Sequence, residues 1–245
     1  MSPRMAFLIK GELLRLNKYR VTTVSLLVAF VWGLVLYFID DMDILEQMLP
    51  MIIMIDATMM SVIFIGSIMF FEKSEQTIST LLVTPTSTDE QILSKVIANT
   101  IHMLLSSMLI ILVFYFVKGV TVNFFWMIPI LIISIAFHSL LGYVFSYHSK
   151  DFTSMLLGVM MFIIFLSIPS ILHQFNILFK GDFWRYALLI TPAQASAELI
   201  ALGFGGAFTL ASAISLVWLI VAGTLGYLFY IKPAYKAYAV RQGGI

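Results

Sequence analysis

Asp56, His102 and His138 are the side chains with the most chemistry to offer, because each sits in a stretch whose neighbours are almost all apolar. An ionisable group in hydrocarbon is costly and is a functional candidate by default. Asp56 lies about eight residues, or roughly 12 Å, in from the expected outer end of its helix. There it could face a translocation path, meet a cationic group, or hydrogen-bond a neighbouring helix as a neutral acid. His102 and His138 fall roughly 9 and 14 Å from the opposite face by the same rise per residue. Those depths differ from that of Asp56, so a proton relay or metal site through all three is not expected. Histidines bonded across helices fit better. Methionine offers a softer chemistry. Met59 and Met60 in one apolar stretch, and Met160 and Met161 in another, could form a pliable lining for varied apolar shapes, or could simply pack.

The elements that must hold these residues are set by the solvent. Of 245 residues, 61% are hydrophobic and 11% charged. A water-soluble domain of this length could not hide so much apolar surface, and lipid makes the composition sensible. A hydrocarbon core about 30 Å thick needs roughly 20 apolar residues. Six stretches qualify: 21–39, 48–71, 96–117, 124–147, 153–172 and 208–231. Lipid supplies no backbone partners, so these are expected to be helices. The first is too long for a signal h-region and is expected to remain as an anchor. The absence of cysteine excludes disulfides and thiolate chemistry. The net charge of +1 gives no ground for a nucleic-acid partner.

Lys and Arg set the orientation. Eleven fall in the N-terminal segment, the connections after the second and fourth stretches, and the tail; three (Lys118, Lys180 and Arg185) fall on the other side. Both termini are therefore expected in the cytoplasm.

Three parts outside the spans have character. Residues 1–20 mix Phe7, Leu8, Leu13, Leu14 and Leu16 with five basic residues, which suits an amphipathic helix on the inner leaflet with its Lys and Arg at anionic headgroups. Residues 72–95 read as a cytoplasmic helical hairpin. Its first helix, 72–83, is ended by Thr84-Pro85, and the second starts at Ser87 with Glu90 in capping-box spacing. Residues 173–207 are too apolar for a solvated loop and too interrupted by glycine and proline for a span. Short helices re-entering the outer leaflet are expected, with a seventh span near 186–204 as the competing reading.

The run Glu72-Lys73-Ser74-Glu75-Gln76-Thr77-Ile78-Ser79-Thr80-Leu81-Leu82-Val83-Thr84-Pro85 resembles the cytoplasmic signature of type-2 ABC exporter permeases, the drug, polysaccharide and peptide exporter class. Glu72, Lys73, Thr77, Leu81, Leu82, Val83, Thr84 and Pro85 match, with Ile78 conservative; Ser74, Gln76 and Ser79 depart from it. Lys10-Gly11-Glu12-Leu13-Leu14-Arg15 resembles the family's basic interfacial helix. Thr191-Pro192 followed by Glu198 is similar to the stretch before its last span, with Thr in place of Asn.

The resemblance implies an all-α membrane subunit of about six transmembrane helices that pairs with a second permease, identical or related, and with two copies of a separate ABC ATPase. Glu72, Lys73, Glu75, Thr77, Ile78, Leu81, Leu82, Thr84 and Pro85 would form the coupling segment seated on that ATPase. Pro192 and Glu198 would belong to the outer re-entrant part. The second and fifth helices would line the dimer interface and the path. ATP and Mg would be bound by the partner alone, since this sequence has no glycine-rich loop closing on Lys-Ser or Lys-Thr to cradle phosphates. The expected setting is a bacterial cell membrane, and the expected cargo is hydrophobic or amphipathic: drugs, lipids, or amphipathic and antimicrobial peptides. Two other readings compete. Ion-coupled transport would use Asp56 but needs further midplane ligands in repeated halves. An intramembrane enzyme would need paired catalytic side chains, and none is apparent.

Overall fold

The computed structural model describes residues 3–75 and 77–240, with the side chains of residues 74, 79, 81, 82, 239 and 240 outside the description. Gln76 and the sidedness contributed by Arg241 lie outside the described residues. Among the described residues every regular element is a helix.

Helix α1 (Pro3–Lys18) meets α2 (Val21–Tyr37) at a bend of 66°. Arg20 makes the corner in the left-handed region, at φ 61°. The second span begins earlier than its apolar run suggested. Asp41 accepts hydrogen bonds from the amides of Asp43 (3.0 Å) and Ile44 (3.2 Å) and so starts α3 (Met42–Met54). A π-helical turn, Ile55–Met59, joins it to α4 (Met60–Ser74), making one rod. After α5 (Thr77–Leu82), α6 (Thr88–Val117) and α7 (Phe124–His148) form an antiparallel pair. Helices α8 (Phe152–Phe162) and α9 (Ile168–Gln174) are joined by a second π turn. Helices α10 (Asp182–Leu188) and α11 (Pro192–Gly203) are short. A third π turn joins α12 (Leu210–Gly226) to α13 (Lys232–Val240).

Five of these runs are long and apolar enough to cross a membrane, and the number is six if the bent α1–α2 pair is counted as one span. The protein is an all-α, multi-pass membrane protein. No seventh span forms among the described residues near 186–204: α11 has 12 residues, about 18 Å, too short for the hydrocarbon core.

The α3–α4 rod is the centre of the bundle, with 78% of its most apolar stretch buried, against 22% for α8–α9 and 17% for α12–α13. Its contact with α7 is held by small residues. Asn99 of α6 donates to Ser139 of α7 (2.8 Å) and to the Ser61 carbonyl of α4 (3.4 Å), tying three spans at one point. The bundle has two ends. One carries α1, the 75–87 turn, the α7–α8 connection and α13; the other carries α10, the α6–α7 connection and the start of α12.

Candidate functional site: the α4–α6 hairpin and its anchors

The hairpin is built by its caps. The Glu75 amide bonds the Phe71 carbonyl and closes α4 (2.9 Å). The single helix expected over 72–83 is thus two pieces: α4 runs through Glu72 to Ser74, and α5 resumes at Thr77. Across the Thr84-Pro85 turn, Ser87 Oγ accepts from the Glu90 amide (3.2 Å) while Glu90 accepts from the Ser87 amide (2.8 Å). This is the expected capping box, and it launches α6.

Four charges meet at the base. Lys95, fully buried in α6, donates to Glu12 of α1 (2.7 Å) and to Glu72 of α4. Arg15 of α1 donates to the same oxygen of Glu72 and to Glu12 (3.1 Å). The other oxygen of Glu72 is buried without a partner among the described residues. Two carboxylates and two cations balance, which is what allows charge to sit there. The basic face of α1, expected at lipid headgroups, is thus partly turned inward. Ile9, Glu12 and Leu16 are its buried stripe, and Arg15 reaches across to α4. Lys10 stays exposed.

An outer layer repeats the pattern. Arg4 pairs with Glu90 (3.0 Å), Lys18 with Glu75 (3.5 Å), and the Tyr19 hydroxyl donates to Glu75 (2.7 Å). Helix α13 closes the other flank, where Lys232 (2.8 Å) and the Tyr227 hydroxyl both reach Asp89. The hydrogen bond from Tyr19, with Lys18 beside it, holds the exposed Glu75 carboxyl below the usual glutamate range. Burial and the Glu75 bond push the Tyr19 hydroxyl up to about 12. A carboxyl with a lowered pKa stabilises the fold above its unfolded value, and that contribution is lost as pH falls through the lowered one. The stability difference between wild type and Glu75→Gln, measured by thermal melting in detergent, is therefore expected to be present at neutral pH and to vanish in acid. A difference that grows on acidification would contradict the assignment.

The remaining coupling candidates divide by face. Ile78 is buried in one apolar cluster with Ile92, Tyr143 and Tyr235, so it pins α5 to the bundle instead of facing outward. Thr77 Oγ1 donates to the Glu72 carbonyl (3.2 Å), and Lys73 lies 5.4 Å from the Phe70 ring centroid. Thr84 pairs with Thr86 (2.6 Å) and Pro85 is exposed. The Leu81 and Leu82 side chains lie outside the described residues. Val83, which matches the signature but was not among the coupling residues expected from it, is 84% exposed at the tip. Lys95, Glu12 and Arg15 were likewise missed as a unit; a lysine and a glutamate 23 residues apart across a hairpin were the available signal.

The intramembrane polar residues are not brought together. Asp56 is buried in the π turn of the second span and accepts a hydrogen bond from Ser107 (3.1 Å). His102 bonds Ser25 of α2 (2.7 Å), and His138 bonds its own helix at the Ser134 carbonyl (2.8 Å). Among the described residues no group of three or more His, Asp or Glu could hold a metal ion. Met59 is inside the subunit, with its sulfur 4.0 Å from Ser167 Oγ, because the second span is the bundle's centre. Met60 is half-buried, whereas Met160 and Met161 are 55% and 54% exposed on α8. At the far end Thr191 and Pro192 start α11, and Glu198 binds Arg185 and Thr209 (3.3 Å). That bond raises the Arg185 pKa further.

Up to six apolar crossings, the central α3–α4 rod among them, with a charged hairpin locked between the second and third, define a polytopic α-helical membrane subunit. Residues 6–201 match the family model described as ABC-2 type transporter, and the chain belongs to that family. No curated protein matches it. Membership makes the chain the membrane subunit of an ABC permease, a kind of subunit that works with an ABC ATPase.

Proposed function

We propose that this permease exports hydrophobic or amphipathic cargo, drugs, lipids or amphipathic peptides among them. It would act as a pair of permease subunits, identical or related, with two ATPase subunits seated on the 72–95 hairpin. ATP and Mg would stay on the ATPase. Both termini would lie in the cytoplasm of a bacterial cell, since the hairpin end gathers the Lys and Arg of the described residues apart from Lys118, Lys180 and Arg185.

The observation that carries the reading is the anchoring of the hairpin. Its base is tied to α1 and α6 by the Glu72–Lys95–Glu12–Arg15 cluster, and α5 is pinned by Ile78. A push on the tip would move α4 and α6 together as rigid levers. The apolar outer face of α8, with Met160 and Met161, would then meet the second permease or the cargo.

The test is co-expression with a candidate ATPase and purification through a tag on this chain. Val83→Arg and Thr77→Arg are expected to release the ATPase while the permease stays monodisperse. A well-folded wild-type chain that retains no ATPase, with or without nucleotide, would sink the docking assignment.

A further inference from the structure

A groove runs down the lipid-facing side of the bundle between α6 and α12, floored by α7. Leu93 of α6, Ile133, Phe137 and Leu140 of α7, and Leu219 and Gly223 of α12 line it, and its volume is about 320 Å³. That lies within the range of about 300–1,000 Å³ in which small molecules are held. From Tyr227 to Leu219 it extends about 12 Å along α12, most of one leaflet's hydrocarbon depth of roughly 15 Å. Gly223 keeps it open: a Cβ there would lie 3.2 Å from the Phe137 ring.

The hairpin end of the groove is not apolar. Tyr227, the last residue of the lining, bonds Asp89, and Asp89 opens a second recess of about 360 Å³ with Thr88, Lys232 and Lys236 around it. Lys232 is shared with Asp89, whereas Lys236, one turn further along α13, enters the recess with no acidic partner among the described residues. Two ammonium groups face one carboxylate, and the first turn of α6 adds its positive end. An apolar slot that ends in a net positive recess matches an acyl chain carrying a phosphate, and basic pockets between transmembrane helices hold anionic lipid headgroups.

We infer that this groove binds one anionic glycerophospholipid of the bilayer, one acyl chain lying between α6 and α12 and the phosphate between Lys232 and Lys236. Bound there, the lipid would bridge the third span to the last one on the flank opposite α1.

Native mass spectrometry of the full chain, equilibrated with dioleoyl phosphatidylglycerol or dioleoyl phosphatidylcholine, tests this. Wild type is expected to retain one phosphatidylglycerol in preference to phosphatidylcholine. Each lysine contributes about a fivefold change in affinity, so Lys232→Gln with Lys236→Gln should abolish the preference, with a loss of about 25-fold. Lys10→Gln, exposed on α1, should leave it intact, and Asp89→Asn should strengthen it. Gly223→Leu should reduce retention of both lipids. Equal phosphatidylglycerol retention by wild type and the double lysine variant would overturn the proposal. So would an equal loss in Lys10→Gln, which would mark a diffuse charge effect.

Discussion

Lys95→Met is expected to lower stability by about 3–5 kcal/mol, making it among the most damaging single substitutions in the chain. The replacement keeps length and apolar packing but removes the ammonium that Glu12 and Glu72 share. Arg15 alone would then face two carboxylates, and Glu72 is fully buried with no water-facing escape. The accompanying double substitution separates charge imbalance from lost packing. Lys95→Met with Glu72→Leu removes one charge of each sign and leaves the Glu12–Arg15 pair in place (3.1 Å). Its cost should be well below the sum of the two single changes, because a buried pair replaced by apolar groups is often neutral. Thermal melting of the four proteins in detergent gives the cycle. A Lys95→Met protein within about 0.5 kcal/mol of wild type, as for an ordinary surface site, would mean that the cluster does not hold the hairpin.

That cluster also marks the boundary of what the sequence reveals. The spans were legible because lipid imposes a length and a composition on any crossing helix. Ser87 and Glu90 announced the start of α6 because capping is local, three residues from donor to acceptor. The short helices after α9 were legible from Gly181 and Pro192, which break a run that composition alone would have made a span. Ion pairs have no such spacing. Glu12, Arg15, Glu72 and Lys95 come from three helices, and only the packed bundle brings them together. Arg15 therefore read as a lipid-facing base and Glu72 as an ATPase contact, though both are spent inside the subunit. The methionines show the same limit. Hydropathy marks Met59 and Met160 as equally apolar, and only the central place of the α3–α4 rod tells the core residue from the surface one.

Gly142→Leu is expected to cost about 3 kcal/mol or more, at the upper end of overpacking, because the obstruction is partly backbone. A Cβ at Gly142 would stand 2.8 Å from the Val62 carbonyl oxygen and 2.8 Å from Ile65 Cβ. The carbonyl belongs to the helical ladder of α4 and cannot rotate away, so α4 and α7 must separate. Separation would also stretch the bonds from Asn99 to Ser61 and Ser139, since the same three helices meet there. Even Gly142→Ala should cost about 1–3 kcal/mol. Gly11→Ala should do the opposite, gaining up to about 1 kcal/mol, because nothing lies within 4 Å of its added Cβ and alanine favours helix. Heating the variants and following the monodisperse fraction by size exclusion compares them directly. If Gly142→Ala melted with Gly11→Ala, the close α4–α7 contact would be wrong. With it would go the proposed path by which a hairpin fixed to α4 would move α7, since this contact joins the central rod to the rest of the bundle. A permease that keeps its ATPase but loses cargo-stimulated hydrolysis in Gly142→Ala would place the transmission step at this interface.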